Sequence, residues 1–168
     1  LTNAPEHGGQ GMPAALGGVL TEMVDSANLA WGNFPMLSHG AVQALETYGE
    51  DWQKEVFLKP LVAGTWTGTM CLTEPHCGTD LGLVRSRAVD AGDGAYKVTG
   101  SKIFISAGEH DLAENIVHLV LARPVGIEGE IIGKAVLGEH LVRQLLAHPG
   151  GERLVQPQVV PPAHGDQV

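Results

Sequence analysis

The sequence predicts an α+β fold in which short helices precede an antiparallel sheet or partial β-barrel, and changes of texture along the chain carry that expectation. Up to Gly64, apolar residues recur at helical spacings of three and four. Beyond it, β-branched residues, threonines and turn glycines replace the helical period. A further break falls near Pro124, after which neither pattern continues.

Each element follows from a local signal. Pro13 suits a first helical turn, and Leu16, Val19, Leu20, Met23, Val24 and Ala27 then form one apolar stripe. A second helix is expected from about Pro35 through Met36, Leu37, Val42, Leu45 and Tyr48, with Gly49 as a left-handed residue just past its end. A third, "DWQKEVFL" from Asp51, should stop before Pro60, with "LVAG" closing on Gly64. These helices are expected to bury their stripes against one another. Thr65 to Cys71 alternates as a strand, and Leu83 to Val89 and Ala95 to Thr99 flank the Asp93-Gly94 hairpin signal. A turn at Gly100-Ser101 leads into "KIFIS", expected as a strand, and "NIVHLVLAR" reads as a buried strand, for about five in all. In the tail, one helix is expected from about Ile131 and no ordered structure from Pro149 onward.

The bulk numbers exclude several function classes. With 168 residues, 43% of them apolar, the chain can build one ordinary domain or two small ones. A net charge of -9, from 19 acidic and 10 basic residues, repels a phosphate backbone, so neither nucleic acid nor an anionic membrane is an expected partner. The longest apolar stretch, Ile116 to Ala122 with His118 inside it, is far short of the roughly 20 residues a membrane helix needs. Two cysteines make no disulfide framework and no signal-peptide pattern opens the chain, so the cytoplasm is the expected compartment. Because it begins with Leu1 and runs at once into "NAPEHGGQGMP", the chain reads as an internal piece of a longer protein.

The stretch "TMCLTEPHCGTDLG" concentrates the reactive side chains. Cys71 and Cys77 have five residues between them where zinc knuckles use two to four, and His110 and His118 lack an i, i+4 relation, so no metal site is expected. Cys71 reads as a small buried hydrophobe at a strand end. Cys77 lies beside His76, but sequence neighbours on a loop rarely face one another as nucleophile and base do. G-x-S-x-G, G-x-G-x-x-G and G-x-x-x-x-G-K-[ST] are all missing, which argues against a serine hydrolase elbow, a Rossmann fold and a P-loop. "LTEPHCGTD" is a strand that stops at a proline and gives way to a loop bearing Thr73, Thr79 and backbone N–H donors. Such a loop suits a planar, oxygen-rich ring or phosphates; it also suits an ordinary polar turn.

Several motifs taken in order narrow the choice. "PEHGGQGMP", "LTEMV", "YGEDWQKEVFLKPLVAGTWTGTMCLTEP", "MCLTEPHCGTD", "YKVTGSKIFIS" and "NIVHLVLAR" together resemble the acyl-CoA dehydrogenase family over about Ala4 to Arg123. The wording "TEPHCGTDLG" with "ISAGEHDLAENIVHLVLAR" is most similar to the 3-methylthiopropanoyl-CoA dehydrogenase-like branch. The resemblance implies that residues 1–64 are part of an N-terminal helical domain and 65–123 the first half of a β-barrel middle domain that binds FAD and acyl-CoA. It also implies that 124–168 are a divergent tail and that the family's C-terminal helical bundle is absent. The implied reaction is α,β-dehydrogenation of an acyl-CoA thioester with hydride transfer to FAD. The parent enzyme would pass electrons to an electron-transfer flavoprotein or similar acceptor and form a homo-oligomer.

The resemblance also implies roles for residues. Cys71, Leu72 and Thr73 would line the flavin, the last two meeting its pyrimidine edge through backbone N–H and hydroxyl. Thr79, where the family usually has serine, would stand near pyrophosphate and substrate. Phe104, Ile105 and Ser106 match a W-I-T segment that lies against the isoalloxazine. The family's catalytic glutamate lies in a C-terminal part this chain does not contain, so Glu74 is expected to fix its loop, and the chain alone is expected to be inactive. His76, His110 and His118 read as surface or packed histidines. A non-redox flavin- or CoA-binding module and a misfolded truncated product are the alternatives.

Overall fold

A computed structural model of the chain describes residues 1–92, 95–125 and 132–137, the last segment and positions 92 and 95 for their backbone alone. Helix α1 (Ala14–Tyr48) bends at Asn28, whose backbone is non-helical at φ -161°, ψ 94°. The Asn28 side-chain oxygen accepts from Trp31 N–H at 3.0 Å, which caps the second half of the helix. The restart therefore precedes Pro35, which lies inside α1 rather than at the head of a new helix. Gly49 is extended at φ -69°, not left-handed as expected; its N–H bonds the Leu45 carbonyl at 2.9 Å. Glycine is required there for another reason, since a Cβ would meet that carbonyl oxygen at 2.5 Å.

The third helical stretch begins with a capping box between Glu50 and Gln53. It runs through α2 (Asp51–Gln53), a π turn at Lys54–Leu58 and α3 (Lys59–Ala63). It does not stop before Pro60, because the π turn has already interrupted the i→i−4 ladder that a proline would break. Gly64 closes α3 in the left-handed region at φ 78°, as expected.

The strands are β1 (Trp66–Cys71), β2 (Arg87–Gly92), β3 (Ala95–Thr99), β4 (Asn115–Pro124) and β5 (Ile132–Leu137). The expected α+β succession of helices and then a curled sheet is present. Strand directions are mixed instead of wholly antiparallel. β2–β3 and β4–β5 pair antiparallel, whereas β4 runs parallel to both β1 and β2. The long excursion between β1 and β4 brings the chain back to its starting end, which is the connection a parallel pair needs.

Three further expectations change. "KIFIS" is not a strand: Ile103 N–H is given to the Thr73 carbonyl at 3.0 Å, and Phe104 turns the backbone at φ 56°. Residues 83–86 precede β2 rather than opening it, because Leu81–Leu83 forms a 3-10 turn capped by the Asp80 carboxylate on Gly82 N–H. The tail helix is replaced over Ile132–Leu137 by a strand, which satisfies an edge of β4 that would otherwise be unpaired. The expected helix beyond 137, the unordered stretch from Pro149 and the Asp93-Gly94 turn lie outside the described residues.

Two clusters make the core. Val42 and Leu45 of α1, Leu58 and Leu61 pack on Val117 of β4, with Phe57, Val62 and Trp66 around them. Cys71, Ala88, Val98, Val120 and Ala122 form the second, with Ile105 against it. Gly68 lets α1 approach β1, since a Cβ there would lie 2.6 Å from the Ala41 methyl. The stripe residues Leu16, Val19, Leu20 and Met23 are exposed rather than buried between helices. Among the described residues no helix is long and apolar enough to cross a membrane.

Candidate functional site

β1 delivers the chain to Leu72 and Thr73 at the rim of the sheet. The next residues close a tight turn in which Glu74 N–H donates to the Cys77 carbonyl at 2.8 Å and Cys77 N–H to the Glu74 carbonyl at 3.1 Å. The turn folds the Glu74 side chain inward, where the residue is only 3% exposed. Its carboxylate accepts from Arg85 N–H at 2.8 Å, Ser86 N–H at 2.9 Å and Lys102 Nζ at 2.9 Å. Burial alone would raise its pKa, but hydrogen bonds from Ser86, Arg85 and Lys102 outweigh that and hold it at about 2. Glu74 thus fixes its loop, as expected, and stays ionised with no proton to exchange near neutrality.

Lys102 is the other half of this knot. Its Nζ bridges the Glu74 carboxylate and the Leu72 carbonyl, both at 2.9 Å. One residue later, Ile103 N–H bonds the Thr73 carbonyl at 3.0 Å; at the far end of the segment Thr69 Oγ1 donates to the Ser106 carbonyl at 2.7 Å. Between these ties Phe104 holds φ 56°, and just past them Ala107 holds φ 52°, a conformation that costs a non-glycine residue roughly 1–2 kcal/mol. The segment divides its side chains sharply: Ile105 packs against the core, while Phe104 is 85% exposed.

The structure therefore brings Leu72 and Thr73 beside the 104–106 segment. Thr79 sits farther along, on the exposed turn that leads into Leu81. The Cys71 side chain faces the core, its sulfur 3.6 Å from His118 Nδ1, and is closed to a ligand. Burial pushes the Cys71 thiol up to about 11, against the pull of Lys102, and burial, helped by the charge of His110, brings His118 down to about 4. Both are neutral near pH 7, and their contact is a packed thiol on an imidazole. His110 is packed too: it accepts from Leu112 N–H at 3.1 Å, bonds Thr67 Oγ1 at 3.0 Å and meets the Phe34 ring edge-on at 5.1 Å.

Glu74, His76 and Cys77 bring potential metal ligands within 4.8 Å of one another. His76 Nε2 lies 2.9 Å from the Leu83 carbonyl, a bond that needs a proton on that nitrogen, and the Glu74 carboxylate already takes three donors. The cluster is wired as hydrogen bonds rather than left open for a cation.

Lys102 and Thr69 were not singled out by the sequence. Their signals are present only in pairs: a single lysine in the apolar "KIFIS" opposite a glutamate before proline, and a threonine on the inward phase of β1.

No family model matches the chain. It is 49% identical over 156 residues to the 3-methylmercaptopropionyl-CoA dehydrogenase of Ruegeria pomeroyi, covering 90% of this chain and 25% of that protein. It is 39% identical over 113 residues to a butyryl-CoA dehydrogenase of Syntrophomonas wolfei, covering 67% of this chain and 18% of that one. The chain thus spans a quarter or less of these relatives. Among solved structures, a glutaryl-CoA dehydrogenase from Mycobacterium smegmatis in complex with FADH2 is similar with a TM-score of 0.62 and 26% identity, over 76% of this chain and 32% of the other.

Proposed function

The chain belongs to the acyl-CoA dehydrogenase family, and from that premise we propose that it supplies one wall of an FAD site in an enzyme that oxidises an acyl-CoA thioester between its α and β carbons. One observation carries the reading: the Leu72-Thr73 rim and the strained Phe104–Ser106 segment lie side by side, pinned by Lys102 and Ile103. A single exposed aromatic ring flanked by neutral hydroxyls and backbone amides suits a flat, oxygen-edged heterocycle, so the residues fit the group.

FAD, when bound, supplies the ring that takes up hydride. Leu72 N–H and the Thr73 hydroxyl are the donors at the ring's polar edge; such donors stabilise negative charge as it develops. Phe104 gives the apolar wall, Ile105 anchors that wall in the core, and Ser106 adds a further donor. Thr79 serves the phosphates and the acyl-CoA. Cys71 contributes by closing the core beneath the rim, not by touching the ligand. Glu74 is excluded as a base by its three donors; the reading assigns proton abstraction to a part of the enzyme outside this chain and expects the chain by itself to be inactive. A homo-oligomer that passes electrons to an electron-transfer flavoprotein or similar acceptor in the cytoplasm completes the reading. The similarity to an enzyme solved with FADH2 supports it.

The test uses a chimera in which residues 1–123 replace the matching segment of the Ruegeria relative. It should bind FAD and bleach it anaerobically with an acyl-CoA, whereas the 168-residue chain alone should neither retain FAD through desalting nor bleach it. In the chimera, Thr73→Ala and Ser106→Ala should slow flavin reduction by a cost of about 1–3 kcal/mol each while leaving acyl-CoA affinity nearly intact. Intact reduction with lost acyl-CoA affinity would remove both residues from the flavin edge.

A further inference from the structure

We propose that Lys102 and Thr69 are positioning residues: together with the buried Glu74 carboxylate they hold the 103–106 segment against the Leu72-Thr73 rim and force the Phe104 ring outward toward a planar ligand. The identity of that ligand rests on the flavin reading above; the device itself does not.

The argument starts from what the segment lacks. It forms no strand, so its hold on the sheet comes from point contacts. Lys102 ties its entrance to the Leu72 carbonyl and to Glu74, Ile103 ties it to Thr73, and Thr69, itself fully buried, ties its exit through the Ser106 carbonyl. Phe104 has nothing to gain from its own conformation, being exposed and left-handed, so the neighbouring ties must maintain it. Glu74 extends the knot to a third segment just before β2, because Oε1, which takes Lys102, also accepts from Ser86 N–H while Oε2 accepts from Arg85 N–H. The Lys102 side chain is nearly as buried as Glu74, so removing its charge leaves an uncompensated carboxylate at the centre of the knot.

The groups facing Glu74 set the pH response. They are Lys102, His76 at 3.4 Å and the N–H groups of Arg85 and Ser86. Without the lysine the carboxylate protonates at a higher pH than in the wild type, and the knot should open there.

Amide hydrogen exchange on the whole 168-residue chain tests the device without a ligand. Lys102→Met should lose at least tenfold protection at Ile103 while Val117 and Val120 in β4 keep theirs. Its Ile103 protection, corrected for intrinsic exchange, should fail at a higher pH than the wild type's, and Lys102→Arg should restore most of both. Thr69→Val is the second variant and should loosen the exit end, read at Gly108 N–H, which bonds the Ile105 carbonyl. Unchanged protection at Ile103, or equal loss in β4, overturns the proposal. The chimera supplies the ligand arm: FAD should raise protection at Thr73 and Ser106 in it, but not once Lys102→Met is added. If FAD changes nothing in the chimera while the ligand-free results hold, the flavin reading fails and the positioning device stands. Equal FAD protection in the chimera with and without Lys102→Met sinks the device and leaves the flavin reading in place.

Discussion

Phe104 shows how a single residue separates stability from function. The residue is 85% exposed and its φ is 56°, so the fold gains little from the side chain and bears the strain of the backbone. Glycine relieves a left-handed strain of roughly 1–2 kcal/mol but returns about 0.5–1 kcal/mol of backbone entropy to the unfolded chain. Phe104→Gly should therefore leave stability in urea unchanged or raise it slightly, by up to about 1 kcal/mol, while abolishing flavin binding in the chimera. A marked loss of stability would mean that the ring packs somewhere the structure does not place it. The acid limb of stability has two residue origins of the same sign. His118 falls from 6.5 in an unfolded chain to about 4 in the fold, so the unfolded state binds the proton first and stability is lost as pH drops through that window. Glu74 falls from 4.5 to about 2, so its contribution is present above 4.5 and lost as pH falls toward 2. Replacing His118 with leucine should flatten the upper part of this limb, between about 6.5 and 4, and leave the lower part intact; denaturant midpoints taken across pH decide it.

At the scale of elements, legibility followed the range of the interactions. β1, β3 and β4 were visible because alternation or an unbroken apolar run is a local signal, and the helices of the first 64 residues were visible through their stripes. The break after Ala27 was legible as the end of the first stripe, but its restart was placed at Pro35 because the Asn28 cap that sets it is a single side-chain hydrogen bond rather than a pattern. "KIFIS" reads as a strand by composition, and what overrides it is the Thr73 carbonyl some thirty positions away in sequence, a partner no window contains. For β5, a segment compatible with helix takes the edge that β4 offers. The site shared this mixture. Linked motifs drew attention to the 71–79 and 104–106 segments, while Lys102 and Thr69 stayed hidden because their roles exist only once the two loops meet. The contact of α1 with β1 yields a prediction at this scale. A methyl at Gly68 would lie 2.6 Å from the Ala41 methyl and 3.3 Å from the Ser38 Cα, so the helix must shift. Gly68→Ala should destabilise by about 1–3 kcal/mol. Adding Ala41→Gly should recover part of that loss despite the helix propensity it sacrifices, and a double-mutant cycle with no coupling would show that the two elements do not meet this closely.

Over the described residues taken together, the apolar surface is unevenly placed. Leu16, Val19, Leu20 and Met23 form one side of the first half of α1 and are 46%, 55%, 48% and 66% exposed, in contrast with the buried Ala41, Val42 and Leu45 near its end. Scattered exposed hydrophobes are ordinary, but four at helical spacing on one face make a continuous stripe, and water is a poor solvent for it. A net charge of -9 opposes close approach of two chains, and that opposition weakens as salt shortens the screening length to about 8 Å at physiological ionic strength. The two effects set the sign of a salt dependence. The 168-residue chain should associate more strongly as salt increases, the reverse of an assembly held by ion pairs, and it should bind a hydrophobic dye at low concentration. Val19→Lys with Met23→Lys should suppress both without lowering the protection of β4 amides, because neither side chain is buried in the fold. Sedimentation velocity over a range of salt and protein concentrations is the deciding measurement. A monomer at every concentration, or association that dissolves as salt is added, would show that the stripe is not what brings chains together.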